Sequence, residues 1–413
     1  MAVRFELPED HPHVALVIID RPEHDGVGII IRWRRTPIGF VLHRVSGGTS
    51  LSPDDVAHLI DGVTDAAQRE PEAPAVGSAR TPSLTAVVCT HDRPDKLARC
   101  LASLRALSST PAAARARFQI LVVDNAPPDD RTRQIVAALP DVRYVRAPVE
   151  GLDFARNRAL EEAHTEFVAF FDDDVTVDAG WLDGFVEALA ANPDAAAVTG
   201  PVLPYELATE AQILFEEYGG FGHRFQKLRH ERSHPSDPYY PCRPGRIGTG
   251  CNMALRRSTV QEIGGFDVAL DTGAPLPGGG DLDIIYRIIR AGHPIATEPR
   301  CLVFHEHRRG YYELRDQMWS WGLGFMAFVT KSYRTDPTHR SKFRRMVVGW
   351  FGRRVWQMTL CATGRIQRPT GLAAAQLAGG IVGLLGEYSR SERRVRRRVA
   401  AEAPTLGSQQ EAT

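Results

Sequence analysis

The fold is decided by residues 84–107, which read LTAVVCTHDRPDKLARCLASLRAL. The first seven residues form a largely apolar run of the kind found in parallel strands that are buried on both faces. A short polar segment follows and leads into residues 92–107, where Leu97, Leu101 and Leu104 recur at helical spacing. The stretch therefore predicts a buried strand and a helix that packs back onto the sheet.

The same alternation of strand and helix continues along the chain. Further strands are predicted over 118–125, 142–148 and 166–174, and further helices over 129–139 and 153–163. Strands that alternate with helices favour an α/β fold with a doubly wound, mostly parallel sheet. In such a sheet, ligands bind beyond the carboxyl ends of the strands. Polar residues at those ends are therefore the candidates for a functional site.

The segment before this domain has a different character. Residues 1–70 are typical of a small β-rich module, with β-branched runs at 14–20, 26–33 and 38–45. Ser52 and Pro53 predict the start of a helix, as N-cap and first helical residue. Residues 71–83 are rich in Pro, Ala and Ser and predict a linker.

The charges of the chain cancel but are unevenly distributed. The sequence has 50 basic and 50 acidic residues, of which residues 331–400 hold 16 basic and three acidic ones. We therefore separate a basic helical extension, 331–413, from the main domain, 84–330. Within residues 340–400, basic segments flank the apolar stretch 371–389. This arrangement suits peripheral binding to an anionic membrane surface. A helical hairpin packed on the main domain is the alternative.

The composition excludes several classes of protein. With 43% hydrophobic and 24% charged residues, the chain is not disordered, collagen-like or disulfide-dense. The six cysteines form no CxxC pair, which favours a reduced, cytoplasmic protein. An apolar signal core and a run of 18 apolar residues are both absent from the sequence. We therefore expect a cytoplasmic protein, with attachment to the inner face of the plasma membrane as the option left by the basic extension.

The strongest functional signal is the acidic triple Asp172-Asp173-Asp174 at the end of a predicted strand. Adjacent carboxylates repel one another and favour a compensating cation. Hard divalent cations take oxygen ligands, and Mg²⁺ is commonly shared between carboxylates and substrate phosphates. The alternative is a turn with a helix N-cap. Asp178 is already a candidate cap for the helix predicted near Trp181, which weakens that alternative.

A second signal is GGGDLD, residues 278–283, at the start of an amphipathic helix. Asp283 and Arg287 stand four residues apart, which predicts a structural ion pair. Asp281 is then the free carboxylate, placed to accept a proton. Two further residues, His305 and His307, share one face of a predicted strand. They either complete a metal site, contact a diphosphate or have a structural role.

Residues on the far side of the predicted cleft are aromatic or glycine-rich. The Gly248-Thr249-Gly250 turn is expected to line an acceptor cleft, and residues 317–329 to form a helix beside it. Four aromatic side chains can stack on a sugar face or pack in a helix core: Tyr311, Tyr312, Trp319 and Trp321.

Together, the ordered motifs of residues 84–310 resemble the family 2 glycosyltransferases of the inverting GT-A type. The motifs are AVVCTHDRPDKLARCLASL, ILVVDNAPPDD, GLDFARNRAL, FVAFFDDDV, TGCNMALRRSTVQEIGGFD, GGGDLDIIYRIIRAG and FHEHRR. The resemblance implies a GT-A fold, a bacterial source, Mg²⁺ or Mn²⁺, and a nucleotide-sugar donor that is a UDP-, dTDP- or GDP-sugar. It also implies a glycan, a lipid-linked molecule or a small molecule as acceptor.

The resemblance also implies roles for residues on the donor side. Thr90 and Asp124 match residues that hold the base and ribose, and Arg156 matches an arginine near the nucleotide. Asp172 and Asp174 match the ends of the DxD motif, and Asp172 and Asp173 are assigned to donor binding.

On the reacting side, the resemblance implies that Asp172, Asp174 and His305 bind the metal, with Asp174 as the direct ligand. Asp281 matches the catalytic base. The family usually has Glu-Asp where this chain has Gly280-Asp281, which puts the orientation of the acceptor in doubt more than the chemistry.

Two other functions share some of these features. An Mg²⁺-dependent nucleotidyltransferase needs a basic loop near the first strand; Arg93 and Lys96 are present there, but without a Gly-rich loop. A non-catalytic nucleic-acid-binding protein could use the basic extension, but the chain has no recognisable binding motif and the acidic triple is then unexplained. The sequence therefore predicts an inverting glycosyltransferase with Asp281 as the base, and no nucleic-acid partner.

Overall fold

The computed structural model describes residues 14–19, 26–44, 82–222, 224–233, 237–273, 276–366 and 368–410. The helix predicted to begin at Ser52 lies outside these ranges, and so does the predicted linker apart from its last two residues. The predicted boundaries of the four segments stay predictions.

The N-terminal module contains an antiparallel three-stranded sheet. Its strands are Val14–Ile19 (β1), Gly26–Trp33 (β2) and Thr36–Arg44 (β3). Ile30 packs against Leu203 and Leu302 of the main domain. The Arg32 Nη2 atom lies 2.5 Å from Asp178 Oδ2. Apolar packing and a partly buried ion pair therefore attach this sheet to the main domain.

The other strands form a large central sheet and two small ones. They are Leu84–Thr90 (β4), Gln119–Asn125 (β5), Val142–Ala147 (β6), Phe167–Asp172 (β7), Val175–Val177 (β8), Ala197–Thr199 (β9), Val202–Pro204 (β10), Leu228–His230 (β11), Asn252–Arg256 (β12), Asp271–Gly273 (β13), Leu276–Pro277 (β14), Ile295–Thr297 (β15) and Val303–His305 (β16). The central sheet has the order β11-β15-β9-β12-β7-β4-β5-β6. Strands β6, β5, β4 and β7 are parallel, as predicted, and β12 is antiparallel to both of its neighbours.

The register of the parallel strands brings their polar ends together. Thr90 pairs with Asp124 across β4 and β5, and Cys89 pairs with Asp172 across β4 and β7. The predicted donor-side residues thus lie at one edge of the sheet, where ligands of such sheets bind.

Helices cover both faces of the central sheet and form the C-terminal region. They are Pro94–Ser108 (α1), Pro111–Arg115 (α2), Arg131–Ala137 (α3), Leu152–Glu162 (α4), Trp181–Ala191 (α5), Glu210–Glu217 (α6), Arg257–Glu262 (α7), Gly280–Arg290 (α8), Tyr311–Thr335 (α9), Arg340–Ala362 (α10), Thr370–Val382 (α11) and Tyr388–Gln410 (α12). Leu97, Leu101 and Leu104 of α1 are fully buried, which confirms the apolar face predicted for that helix.

One predicted cap is wrong. Helix α5 begins at Trp181, and its N-cap is Gly180, which makes no side-chain capping bond. Asp178 instead accepts a hydrogen bond from the Gly180 backbone N–H at 2.9 Å and pairs with Arg32. The sequence pattern could not reveal the arginine of the N-terminal sheet that competes for this carboxylate.

A small sheet places the second half of the site. Strand β16 lies between β10 and β8, and its His305 is paired with Val175. The Glu306 backbone N–H donates to the Asp174 carbonyl oxygen at 3.0 Å. Main-chain bonds therefore hold the segment after β16 beside the acidic triple after β7.

The C-terminal region is helical, as predicted, and packs closely on the main domain. Helices α9 and α11 approach at backbone contact distance. A Cβ atom at Gly322 would lie 2.0 Å from the Gln376 carbonyl oxygen, and one at Gly379 would lie 2.0 Å from that of Trp319. Only glycine permits this approach. Within the described residues, no helix combines the length and apolar character needed to cross a bilayer.

Candidate active site

A cavity of about 770 Å³ opens at the carboxyl ends of β7 and β16. Its walls contain Asp172, Asp174, Arg156, Asp281 and His305. The structure thus brings five of the eight predicted site residues to one cavity. The other three, Thr90, Asp124 and Asp173, do not line it and lie in the sheet edge behind it.

Three residues at one end of the cavity have the chemistry and spacing of a metal site. Ligand atoms of Asp172, Asp174 and His305 lie within 4.8 Å of one another. The Asp174 Oδ1 atom is buried, has no hydrogen-bond partner among the described residues, and lies 3.3 Å from His305 Nε2. Two carboxylates and an imidazole are ligands that suit a divalent cation such as Mn²⁺. The residues present therefore fit the predicted ion.

The protonation states of these residues follow from burial. Burial lowers the pKa of His305 to about 4, even though Asp174 opposes the shift, so its imidazole is neutral near pH 7. Burial and the charge of Asp174 raise the pKa of Asp172 to about 7. The pKa of Asp174 is lowered, because the His305, Arg93 and Lys96 side chains outweigh the opposing effect of burial. A neutral imidazole beside an ionised carboxylate is the form that binds a cation.

A chain of side chains fixes the orientation of His305. Its Nδ1 lies 3.3 Å from His307 Nδ1, and His307 Nε2 lies 2.6 Å from Glu216 Oε1. His307 and Glu216 are both buried. A metal-binding histidine is commonly oriented through its second nitrogen. His307 is thus placed as a supporting residue, and it is not part of the group of potential metal ligands found among the described residues.

Asp173 points away from its two neighbours. It accepts a hydrogen bond from Thr90 Oγ1 at 2.8 Å and one from Arg93 Nη1 at 3.2 Å. Thr90 therefore contacts the acidic triple rather than the cavity. Arg93, which the sequence suggests only for a nucleotidyltransferase, lines the cavity, and Lys96 Nζ lies 3.9 Å from Asp174. Their position directly after a strand end was the available signal.

Asp124 is fully buried at the end of β5. Its Oδ2 accepts a hydrogen bond from the Tyr144 hydroxyl at 2.8 Å. Burial raises the pKa of Asp124, and the bond from Tyr144 only partly offsets that effect. In this conformation Asp124 has no access to the cavity, so its predicted contact with a ribose stays a prediction.

Asp281 is held at the start of α8 by two backbone bonds. Its Oδ2 accepts from the Gly250 N–H at 2.9 Å, and its Oδ1 from the Leu282 N–H at 2.8 Å. The side chain is half-buried and lines the cavity together with the 248–250 turn, as predicted. Asp283 pairs with Arg287 at 2.6 Å, which confirms its structural role.

A buried ionic cluster that the sequence analysis missed supports this turn. Arg156 Nη1 lies 3.0 Å from Asp153 Oδ1 and 3.4 Å from Asp271 Oδ2, and its Nη2 donates to the Gly250 carbonyl oxygen at 3.5 Å. Burial raises the pKa of Asp153 to about 7, although Arg156 opposes that shift. The spacing of Asp153 and Arg156, i and i+3 on a helix, was the only local signal for this pair.

Gly280 is explained by the same cluster. A Cβ atom at this position would lie 1.9 Å from Asp153 Oδ2. That oxygen is buried and has no hydrogen-bond partner among the described residues. The carboxylate of Asp153 thus occupies the space beside Asp281 into which a side chain at position 280 would project. The departure from Glu-Asp therefore does not leave Asp281 without an acidic neighbour.

The opposite wall of the cavity is aromatic. Trp321 and Phe325 of α9 and Trp350 of α10 line it. Of the four aromatic residues expected either to stack on a sugar or to pack in a helix core, only Trp321 lines the cavity. Helix α9 covers the segment 317–329 that was predicted to lie beside the site.

Comparison with known proteins places this cavity in a family. Residues 85–264 match the model of glycosyl transferase family 2. The chain is 29% identical, over 72% of its length and 92% of the relative's, to the succinoglycan biosynthesis protein ExoM of Rhizobium meliloti. These similarities support a family 2 glycosyltransferase. The function of the chain is therefore glycosyl transfer, and neither the nucleotidyltransferase nor the nucleic-acid-binding alternative is supported.

Two further similarities accompany this assignment. This chain is 26% identical to the pre-mycofactocin glycosyltransferase of Mycobacterium tuberculosis. The aligned region covers 78% of this chain and 62% of that relative. A solved mannosyltransferase from Pyrobaculum calidifontis, in complex with GDP-mannose and Mn²⁺, shows 17% identity and a TM-score of 0.48 over 79% of this chain and 94% of that one.

The mixed central sheet with helices on both faces gives this glycosyltransferase its GT-A fold. The matched segment contains the acidic triple but ends before Asp281 and His305. The roles of these two residues consequently rest on the geometry of the cavity.

Proposed function

We propose that the protein transfers a sugar from a nucleotide-diphosphate donor to an acceptor hydroxyl with inversion at C1, assisted by a divalent cation. The observation that carries the proposal is the composition of one cavity. It holds an O, O, N group of potential metal ligands, Asp172, Asp174 and His305, and a separate anchored carboxylate, Asp281. The donor is proposed to be a UDP-, dTDP- or GDP-sugar.

The donor side needs positive charge, because a nucleotide diphosphate is an anion. When bound by Asp172, Asp174 and His305, Mg²⁺ or Mn²⁺ supplies Lewis-acid charge for the departing diphosphate. Arg93, which lines the cavity, adds a guanidinium beside Asp174 at 3.5 Å. A guanidinium offers paired donors that match phosphate oxygens.

The acceptor side needs a base and a surface for a sugar. In the proposed reaction, the acceptor oxygen forms a bond to C1, the bond from C1 to the diphosphate oxygen breaks, and the hydroxyl proton passes to the Asp281 carboxylate. The Gly250 and Leu282 N–H groups hold that carboxylate in one orientation. Trp321 offers a ring face on which a sugar can stack.

Asp281→Asn tests the role of the base. The amide keeps the size of the side chain but cannot accept the proton, so we expect transfer to fall by 10³-fold or more while donor affinity changes less than threefold. Asp316→Asn is the matched control, since Asp316 is an exposed carboxylate in the wall of the same cavity. Titration calorimetry gives donor affinity, and nucleoside diphosphate release gives turnover across a panel of sugar nucleotides.

The anomeric configuration of the product, read by NMR, tests inversion. The single-displacement mechanism would be refuted if the product retains the configuration of the donor at C1. It would also be refuted if the Asp281→Asn variant turns over at a rate close to that of the wild type.

The metal group is tested by cation binding without turnover. Electron paramagnetic resonance measures Mn²⁺ binding. We expect the wild-type protein to bind Mn²⁺, and we expect Asp174→Ala to lower the Mn²⁺ affinity of the protein at least 10-fold. Asp316→Ala removes one negative charge from the same cavity, as Asp174→Ala does, and should not change the Mn²⁺ affinity. Equal losses in both variants would mean that general charge, and not the proposed ligand set, attracts the cation.

A further inference from the structure

Helix α10 presents an apolar face to solvent. Val348, Val355 and Trp356 are 73%, 53% and 57% exposed. They stand at positions i, i+7 and i+8, which places them in one stripe along the helix. The other side of α10 carries Phe343 and Met346, which are buried against α9 and α8. One side of this helix is therefore used for folding, and the other is apolar and uncovered within the described residues.

The charge around this stripe is of one sign. The 47 residues from Arg340 to Gly386 contain eight Lys and Arg and no Asp or Glu. Arg344, Arg345 and Arg353 are exposed on α10. None of these three arginines forms an ion pair with another described residue. This surface is apolar and carries positive charges that no described acidic residue neutralises. A partner that fits it offers both apolar contact and negative charge.

A second exposed apolar group lies in the same acid-free segment. Leu385, 67% exposed, lies three residues beyond the end of α11 and beside Gly386, whose φ of 86° breaks the helix before α12. Ile381 and Leu384 are exposed as well. The helical break thus leaves three exposed apolar side chains within one short stretch of chain.

We propose that the solvent-facing side of α10 docks on the surface of a bilayer that contains anionic lipids. A helix with an apolar stripe flanked by Arg lies in the plane of the interface, with its apolar residues among the acyl chains and its basic residues among the head groups. Anionic head groups supply the charge that the three arginines lack. A nucleic acid would satisfy the arginines but would leave Val348 and Val355 exposed.

The proposal has a geometric consequence for the active site. Trp350 lines the cavity and lies on the side of α10 opposite the exposed stripe, about half a helical turn around the axis. The cavity wall and the docked face are then separated by one helix, about 10 Å across. Docking does not depend on the proposed reaction, but it would bring the aromatic wall close to the lipid head groups.

Flotation of the full chain with vesicles tests the docking. We expect binding to vesicles of phosphatidylcholine with about 30% phosphatidylglycerol, little binding to phosphatidylcholine alone, and weaker binding in 0.5 M NaCl. The variant with Arg344→Gln, Arg345→Gln and Arg353→Gln should lower the partition constant about fivefold for each arginine, or about 100-fold in all. Arg133→Gln on α3 is the matched charge control.

The apolar contribution is tested separately. The variant with Val348→Ser, Val355→Ser and Trp356→Ser should lose flotation at unchanged net charge, whereas Leu228→Ser on the edge strand β11 should not. Because these side chains are exposed, the thermal midpoint should stay within about 2 °C of wild type, which shows that the fold is intact. Donor hydrolysis in the absence of vesicles should also be unchanged, since none of these residues lines the cavity.

Three results would overturn the proposal. They are flotation that does not depend on phosphatidylglycerol, flotation of either triple variant at the wild-type level, and absence of wild-type flotation. If duplex DNA binds under the conditions in which vesicles do not, the basic face serves a nucleic acid instead. Turnover of Asp281→Asn close to that of the wild type, with intact flotation, would overturn the proposed reaction and leave this inference standing, so the two proposals fail separately.

Discussion

Gly280→Ala is the sharpest perturbation that the structure offers, because one added carbon meets a buried carboxylate. The new Cβ would lie 1.9 Å from Asp153 Oδ2 and 2.6 Å from its Cγ. Ordinary contact needs more than 3 Å, so the carboxylate must move by about 1 Å or more. Asp153 is fully buried and bonded to Arg156 at 3.0 Å. The movement therefore disturbs an ion pair as well as the packing.

The magnitude follows from these two effects. Overpacking of a buried position costs about 1–3 kcal/mol, and weakening a buried ion pair adds to that cost. We expect the free energy of unfolding to fall by at least about 2 kcal/mol, which lowers the thermal midpoint by about 4–8 °C. Turnover should fall more than donor affinity, because the neighbouring Asp281 is anchored through Gly250, which also accepts a bond from Arg156.

A double-mutant cycle isolates the contact. Asp153→Ala in the Gly280→Ala background removes the clash, so the double variant should be at least about 1 kcal/mol more stable than the sum of the single effects. Gly352→Ala is the control, since a Cβ there has no atom within 4 Å, and in a helix interior alanine should raise stability by about 0.5–1 kcal/mol. An unchanged midpoint in Gly280→Ala, or additive single effects, would refute the reasoning.

Two further predictions concern stability. Burial by itself would raise the pKa of Asp336, but bonds from Tyr286 and His339 lower it to about 2, below its unfolded value near 3.8. The ionised form therefore stabilises the fold above about pH 4, by about 2 kcal/mol, and this contribution disappears between pH 4 and pH 2. Urea unfolding should show Asp336→Asn much less stable than wild type at pH 6, with the gap narrowing below pH 4; a constant gap contradicts the reasoning. Leu101→Ala should cost about 2–5 kcal/mol by the same assay, because the side chain is fully buried between helix and sheet, whereas the exposed Ala102→Ser should change little.

The first half of the main domain was predictable because its signals are local. The strands β4 to β7 have six or seven residues each, which are mostly buried in β4, β5 and β7, and the apolar face of α1 repeats at helical spacing. Such runs are read from the sequence without knowledge of their partners. The three-residue strands β9 and β16 are too short to show a period, so their existence depends on contacts with distant strands.

The site was predictable in its residue types more than in its contacts. Asp172, Asp174, His305 and Asp281 were singled out by motif, and the cavity contains all four. Asp271 was missed because its pairing with Arg156 joins two segments that are far apart in the chain, whereas Asp153 was missed although it lies only three residues from Arg156. The structural role predicted for Asp283 was correct, since its partner Arg287 lies one helical turn away. One of the two local pairs was thus predicted, and the tertiary pair was not.

The charge of the cavity gives a final reason to link the donor to a cation. Six carboxyl groups line it against three guanidinium groups: Asp172, Asp174, Asp271, Asp281, Glu313 and Asp316 against Arg93, Arg156 and Arg308. Arg156 is already engaged by Asp153 and Asp271. A diphosphate entering such a cavity meets net repulsion, and a divalent cation at the acidic triple reverses the local sign. Because binding free energies are reciprocal, the cation should raise donor affinity by the same factor as the donor raises cation affinity.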